Sequence, residues 1–309
     1  MRIVFCGTPE FSVAPLKKLI ENKDDNYEVV AVYTQPDRGV GRGRKVQFSA
    51  VKQCALDNNI QVYQPVSLRD EEAIEELREL KPDLLVVVAY GLILPQEVLD
   101  VPTIACWNIH ASLLPRWRGA APIHRALLAG DKTTGVGIMH MEAGLDTGAV
   151  YLQHECAIAD DETTQKLHDK LAVMGANALI EAIELLQQNN LPTPMIQNEE
   201  NVTYAKKLTK SESVVDWNQS AELIDRKIRA LVPWPGIVAH IAGDDYKIWQ
   251  ARFVENNSNV AVGEISHADK SSLFIQCQSG QLQILSIQKS GKKRMDIAQF
   301  MQAKADWFT

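Results

Sequence analysis

The feature that most constrains this chain is a rhythm in its first half. Short runs of β-branched and aliphatic residues alternate there with charged stretches of helical period. Residues 2–6, 28–33, 61–63, 83–89 and 104–109 read as strands, and 10–21, 69–80 and 121–129 as helices. Residues 83–89 (DLLVVVA) are apolar on both faces, the pattern of a strand covered on two sides. Ser49 stands where an N-cap belongs, before a helix reaching about residue 58. Pro15 is tolerated only in the first turn of its helix. Strand and helix in turn predict an α/β domain: a Rossmann-like, doubly wound, mostly parallel sheet. Residues 134–141 and 149–157 then read as two strands joined by the short segment 142–148, an antiparallel pair at the sheet's end. Asp161 is placed to cap a long helix carrying a stripe of Leu167, Leu171, Met174, Ala178, Ala182 and Leu185.

Leu191-Pro192-Thr193-Pro194 opens a linker, and past Lys206 the pattern changes. One amphipathic helix, 220–231, leads to Pro233-Trp234-Pro235-Gly236. Short strands follow at 237–241, 246–254, 260–265, 273–278 and 282–288. Strands at this spacing predict a small, OB-like β-barrel. The expected division is a catalytic domain over 1–189, a linker over 190–206 and a C-terminal barrel over 207–309, which suits a length of 309 residues.

Cys6, Cys54, Cys106, Cys156 and Cys277 are odd in number, widely spaced and without a C-x-x-C pair. A disulfide framework or zinc knuckle is not expected, no metal is expected, and a reducing cytoplasm fits best. The N-terminal apolar stretch is too short for a signal peptide. The longest apolar run, 84–94, falls well short of the ~20 residues of a membrane span. A formal net charge of −7, taken as an average, weighs against a nucleic-acid partner. Resolved along the chain it does not. Residues 206–309 hold 14 basic and 11 acidic side chains, a net of +3, and the remainder is −10, interrupted by the basic loop Arg38-Gly39-Val40-Gly41-Arg42-Gly43-Arg44-Lys45.

Asn108 and His110 stand two apart at the end of a parallel strand, so they share one face. Open α/β sheets bind ligands at that edge. A carboxamide and an imidazole there suit an oxygen that becomes negative. An isolated Asn-x-His pair more commonly just closes a strand with two satisfied polar groups. Asp146 in Gly144-Leu145-Asp146-Thr147-Gly148, taken alone, reads as a turn residue. Between them lies the unusual string Ser112-Leu113-Leu114-Pro115-Arg116-Trp117-Arg118-Gly119. These motifs join Phe5-Cys6-Gly7-Thr8-Pro9-Glu10-Phe11, the 35–45 loop and the 228–236 segment. Together they resemble the folate-dependent formyltransferases, and within them the branch that acts on methionyl initiator tRNA. The resemblance spans essentially the whole chain in the right order.

The resemblance implies that the formyl group of 10-formyltetrahydrofolate, the co-substrate, passes to the α-amino group of methionyl initiator tRNA in translation initiation. Asn108, His110 and Asp146 would be catalytic. Asn108 and protonated His110 would stabilise the oxyanion, and Asp146 would act as base, directly or through a water, while holding His110 charged. Ser112, Leu113, Leu114 and Pro115 would contact tetrahydrofolate, with the pterin near Ala89, Tyr90, Gly91, Leu92 and Ile93. The loop over 34–48 would enter the acceptor stem, with Arg42 as chief contact beside Arg38, Arg44 and Lys45. Alternating Gly and Arg cannot pack a core but lets guanidinium groups approach phosphates. Lys206, Lys207 and Lys210 in the linker, with Lys289, Lys292, Lys293 and Arg294 after the last strand, would extend the basic path. A monomer is expected. Trp217, Trp234, Trp249 and Trp307 read as core or domain-interface residues.

A nucleotide-binding oxidoreductase is excluded, because the first turn, Gly7-Thr8-Pro9-Glu10-Phe11, is not G-x-G-x-x-G. An amino sugar nucleotide formyltransferase or a 10-formyltetrahydrofolate hydrolase would use the same trio, and the Gly/Arg loop and basic linker favour tRNA over both. A non-catalytic tRNA-binding protein is the third alternative, against which the intact trio stands.

Overall fold

The computed structural model describes residues 1–23, 26–40, 45–304 and 307–308, with Val40 and Lys45 described by backbone alone. Two compact units emerge. One comprises Met1–Pro122, Thr133–Ala157 and His168–Ala205, the other Ile123–Lys132, Ile158–Leu167 and Lys206–Thr309.

Up to residue 205 the elements run β1 (Arg2–Gly7), α1 (Val13–Glu21), β2 (Glu28–Tyr33), a hairpin of β3 (Arg38–Val40) and β4 (Lys45–Gln47), α2 (Ala50–Asp57), β5 (Val62–Tyr63), α3 (Glu71–Glu79), β6 (Leu84–Val88), α4 (Gln96–Leu99), β7 (Ala105–His110), β8 (Arg118–Gly119), α5 (Pro122–Ala129), β9 (Thr133–His140), β10 (Val150–Ala157), α6 (Thr164–Gln187) and β11 (Tyr204–Ala205). The main sheet has seven strands in the order β10-β9-β7-β6-β1-β2-β5. Its strands from β7 to β5 are parallel, and β9 and β10 add an antiparallel pair at one edge. This is the doubly wound, mostly parallel sheet the rhythm predicts.

All five residues of β6 are buried, as its two-sided apolar pattern requires. On one face of the sheet Val4, Ala31, Tyr33, Leu85 and Val87 meet Ile74 and Leu77 of α3 and Val98 and Leu99 of α4. Each Val, Leu or Ile among them contributes about 1.5–3 kcal/mol by leaving water. Ser49 caps α2 by accepting from the Lys52 N–H at 3.0 Å.

Two helix starts differ from expectation. Residues Glu10–Ser12 form a 3-10 turn, so α1 begins only at Val13, with Pro15 still in its first turn. α6 begins at Thr164, and the hydroxyl that caps it is that of Thr163, which accepts from the Lys166 N–H at 3.3 Å. Asp161 is too far upstream to cap and instead receives the Lys166 ammonium at 3.0 Å.

In the second unit α7 (Ala221–Leu231) is capped by Ser220, which accepts from the Leu223 N–H at 3.2 Å. Then come β12 (Ile237–Ile241), β13 (Asp244–Val254), β14 (Ile265–Ala268), β15 (Leu273–Gln276), β16 (Gln281–Lys289), β17 (Met295–Asp296) and α8 (Ile297–Met301). They form one antiparallel sheet in the order β12-β13-β16-β15-β14, with β17 beside β16. No ladder joins β12 to β14 among the described residues. The strand expected over 260–265 is a turn instead. Glu264 N–H returns to the Ala261 carbonyl, and Gly263 takes a φ of +86°, so the strand starts only at Ile265. Trp307 is a core residue, as expected, packed edge-on to Tyr246 and Phe300. Trp234, by contrast, is exposed.

Candidate active site

The site is built on the end of β7. Alternation sends Trp107 and Ile109 into the core and leaves Asn108 and His110 on the opposite face. His110 is only 5% exposed. Its Nε2 lies 2.9 Å from the Trp117 carbonyl oxygen, which can only accept, so a proton belongs on Nε2. Nδ1 then faces Asp146 Oδ2 at 3.7 Å. That same oxygen accepts from the Gly119 N–H at 2.7 Å, while Oδ1 makes no hydrogen bond among the described residues. The carboxamide oxygen of Asn108 is buried without a partner, which leaves the N–H end as the one presented. The three residues expected to be catalytic thus gather at the carboxyl edge of the parallel strands.

Two turns hold this geometry. Asp146 has a φ of +53°, a left-handed conformation that Asp enters more readily than most residues. Two residues on, a Cβ at Gly148 would stand 1.9 Å from the His140 carbonyl oxygen, so only glycine lets the loop close there. In the other turn Ser112 is fully buried and its hydroxyl donates to the Arg116 carbonyl at 2.6 Å. The Ser112 side chain therefore shapes the loop from within. Leu114 packs on Met139 and Val150, its carbonyl accepting from Gln153 Nε2 at 3.2 Å, and Leu113 and Pro115 are half-buried.

The loop after β6 is set by left-handed residues, Ala89 at φ +47° and Gly91 at φ +82°. The Tyr90 ring is buried in the core, where desolvation raises its hydroxyl far above the usual tyrosine range. Its carbonyl accepts from Thr8 Oγ1 at 2.8 Å and Gln35 Nε2 at 3.3 Å. Ala89, Gly91 and Ile93 are exposed and Leu92 is half-buried. The Tyr90 ring is thus turned into the core, while the Ile93 side chain faces outward.

The flanks of the basic loop, β3 and β4, pair as antiparallel strands, which the sequence did not reveal. Arg38 is exposed on β3, and Lys45 begins β4. Arg42 and Arg44 lie outside the described residues. At its base Asp37 receives Lys52 Nζ and Gln64 Nε2, and these hydrogen bonds hold its carboxyl below the usual range. In the second unit Lys206, Lys207 and Lys210 are exposed. Arg125 donates to the Lys206 and Lys207 carbonyls and bridges Glu212 at 2.6 Å, which fixes the main chain and leaves both ammonium groups outward. Trp249 is half-buried with Lys247 and Arg294 5.0 and 5.1 Å from its ring centroid. Among the described residues no group of His, Cys, Asp and Glu is placed to hold a metal ion.

Sequence reasoning missed the stretch read as a tether. Residues 195–205 run back into the first unit: Met195 bridges Val150, and β11 pairs with β8. Arg118 is 1% exposed, and its Nε donates to Gln197 Oε1 at 2.9 Å. No local signal marks these residues, because their partners lie 45 to 86 positions away in the sequence.

The family model described as formyl transferase matches residues 1–183, and that of the formyl transferase C-terminal domain matches 207–305. The methionyl-tRNA formyltransferase of Marinobacter nauticus is 49% identical over 297 residues, covering 96% of this chain and 94% of its own. That of Hydrogenovibrio crunogenus is 48% identical over 304 residues, covering 98% and 96%. Among solved structures, WlaRD, a sugar 3N-formyl transferase, superposes with a TM-score of 0.68 at 19% identity over 95% of this chain and 99% of its own. HypX from Aquifex aeolicus, in complex with tetrahydrofolic acid, gives 0.64 at 17% identity; 97% of this chain spans 47% of that longer protein. Those two likenesses speak to the fold. The family model over more than half of the chain, and relatives nearly half identical from end to end, show that the chain belongs to the formyl transferase family.

Proposed function

We propose that this chain transfers the formyl group of 10-formyltetrahydrofolate to the α-amino group of methionyl initiator tRNA, with Asn108, His110 and Asp146 as its catalytic residues. The observation that carries the reading is the His110–Asp146 pair beside the orphaned Asn108 oxygen, in a chain nearly half identical to named methionyl-tRNA formyltransferases. In the reaction the amine nitrogen bonds to the formyl carbon and the bond from that carbon to folate N10 breaks. The amine gives up one proton and N10 gains one.

The carboxamide N–H of Asn108 donates to the carbonyl oxygen as it becomes negative, a contact whose loss typically costs about 2.7–4 kcal/mol of barrier. With Nε2 committed to Trp117, a second proton on His110 would sit at Nδ1, facing Asp146. An α-amino group titrates near 7.7–8.0, so part of it arrives protonated and must be relieved of a proton. The unengaged Oδ1 of Asp146 takes it, directly or through a water.

The folate lies along Ser112–Pro115, with its pterin by the 89–93 loop. Arg38, Arg42, Arg44 and Lys45 of the basic stretch, with Lys206, Lys207 and Lys210, meet the tRNA. On this reading the unit that holds Asn108, His110 and Asp146, which takes in the stretch up to Ala205, does the chemistry, and 207–309 holds the tRNA. The enzyme works as a monomer in the cytoplasm, and no helix among the described residues is long and apolar enough to cross a membrane. The test supplies 10-formyltetrahydrofolate with methionyl initiator tRNA, with an amino sugar nucleotide, or with buffer alone. Transfer to the tRNA only is expected. Transfer to the sugar only, or equal release to water in all three, overturns the reading.

A further inference from the structure

Gln197 breaks the ordinary rule of burial. Its neighbours Met195 and Ile196 are exposed, 62% and 86%, while the polar Gln197 is only 6% exposed. A chain that turns an isoleucine outward to bring a carboxamide in does so for the hydrogen bonds that the carboxamide makes. Here they are complete. Nε2 donates to the Asp146 carbonyl at 2.8 Å and the Gly148 carbonyl at 2.7 Å, and Oε1 accepts from Arg118 Nε at 2.9 Å. Two carbonyls on one side and a guanidinium on the other allow one orientation of the amide. Arg118 is itself held, since Glu199 receives its Nη2 at 2.7 Å and Nη1 at 3.3 Å. The next residue, Gly119, supplies the N–H that binds Asp146 Oδ2. The Asp146 turn is thus gripped by its backbone through Gln197 and by its carboxylate through Gly119, and Arg118 joins the two grips.

We infer that Gln197 is a positioning residue for formyl transfer: its carboxamide, locked by Arg118, holds the left-handed Asp146 turn so that Oδ2 faces His110 and Oδ1 stays open to the substrate amine. The inference rests on Asp146 acting in catalysis, as proposed above. Gln197 touches no reacting atom, and without it Asp146 keeps its chemistry but loses its aim.

Steady-state kinetics on the full chain test this with Q197L, D146N and the double variant Q197L/D146N. Q197L is expected to lower kcat at least about tenfold, a part of the 10²–10⁴-fold that acid–base help is worth. KM for the folate and for the tRNA should stay within about threefold. In the D146N background the same change is expected to cost nothing further, because the residue acts through Asp146. Q197E serves as the size-conserving variant and as the replacement should Q197L not fold. Its carboxylate lacks the donors, so its kcat relative to the parent should recover as the pH falls and the protonated carboxyl donates to one carbonyl again. An unchanged kcat in Q197L, an equal loss in both backgrounds, a rise in KM alone, or a Q197E deficit flat with pH overturns the inference. Near-normal turnover in D146N alone removes Asp146 from catalysis, and that failure is read without reference to Gln197.

Discussion

Asn108 and Asp146 serve the site in opposite ways. Asn108 leaves a polar atom buried and unpaired, a cost of order 1–3 kcal/mol that native proteins rarely leave standing without reason. Asp146 has one carboxylate oxygen held and one open. On the proposed mechanism Asn108→Ala removes an oxyanion donor, and it also relieves a buried defect. Its kcat should fall by about 10²–10³-fold while the melting temperature holds or rises slightly, as single-turnover kinetics and thermal melts together would show. That Asn108, His110 and Asp146 come together could be expected from the sequence because they sit in unusual strings of neighbours. Gln197 was not: nothing in Met195-Ile196-Gln197 marks a buried amide, and its partners Asp146, Gly148 and Arg118 lie 49 to 79 residues away.

Among the elements, the parallel strands and their helices were readable because period and burial agree, β6 most plainly. The misplaced strand at 260–265 has a physical cause. Val260 and Val262 favour extended structure, but the turn closed at Gly263 overrides that preference. The hairpin was hidden because Gly and Arg give no apolar alternation. Its base rests on Asp37. A carboxyl whose folded value lies below its ordinary one contributes stability above that ordinary value, near 3.9, and loses it as the pH falls through the folded value. Amide exchange in β3 and β4 should therefore quicken below about pH 4, relative to the core strands, and Asp37→Asn should show the quickened rate already at neutral pH. Arg42→Ala probes the same basic stretch of sequence. It should raise KM for the tRNA about tenfold, in line with the 1–3 kcal/mol of a typical nucleic-acid contact, and leave KM for the folate unchanged. Equal loss of both would detach the hairpin from the tRNA.

At the scale of the whole molecule the formal charge of −7 conceals a basic C-terminal portion and a basic hairpin in an acidic remainder. A tRNA held on such confined patches should dissociate steeply with salt, log affinity falling by about 0.7–0.9 per phosphate engaged for each decade of ionic strength. A fluorescence titration of labelled tRNA between 50 and 300 mM salt reads that slope, and a flat profile would leave the patches without a role. The path of the chain bears on something else, how such enzymes exchange parts. The prolines at 192 and 194 look like a natural seam. Yet the stretch running on to Ala205 belongs to the unit that holds Asn108, His110 and Asp146, while the other unit draws in Ile123–Lys132 and Ile158–Leu167 from the first half. A chimera spliced at the prolines would graft a foreign strap onto the host's Arg118. One spliced after Ala205 keeps the strap but still sets its borrowed half against two host segments, so the exchangeable module is three stretches of sequence and not one.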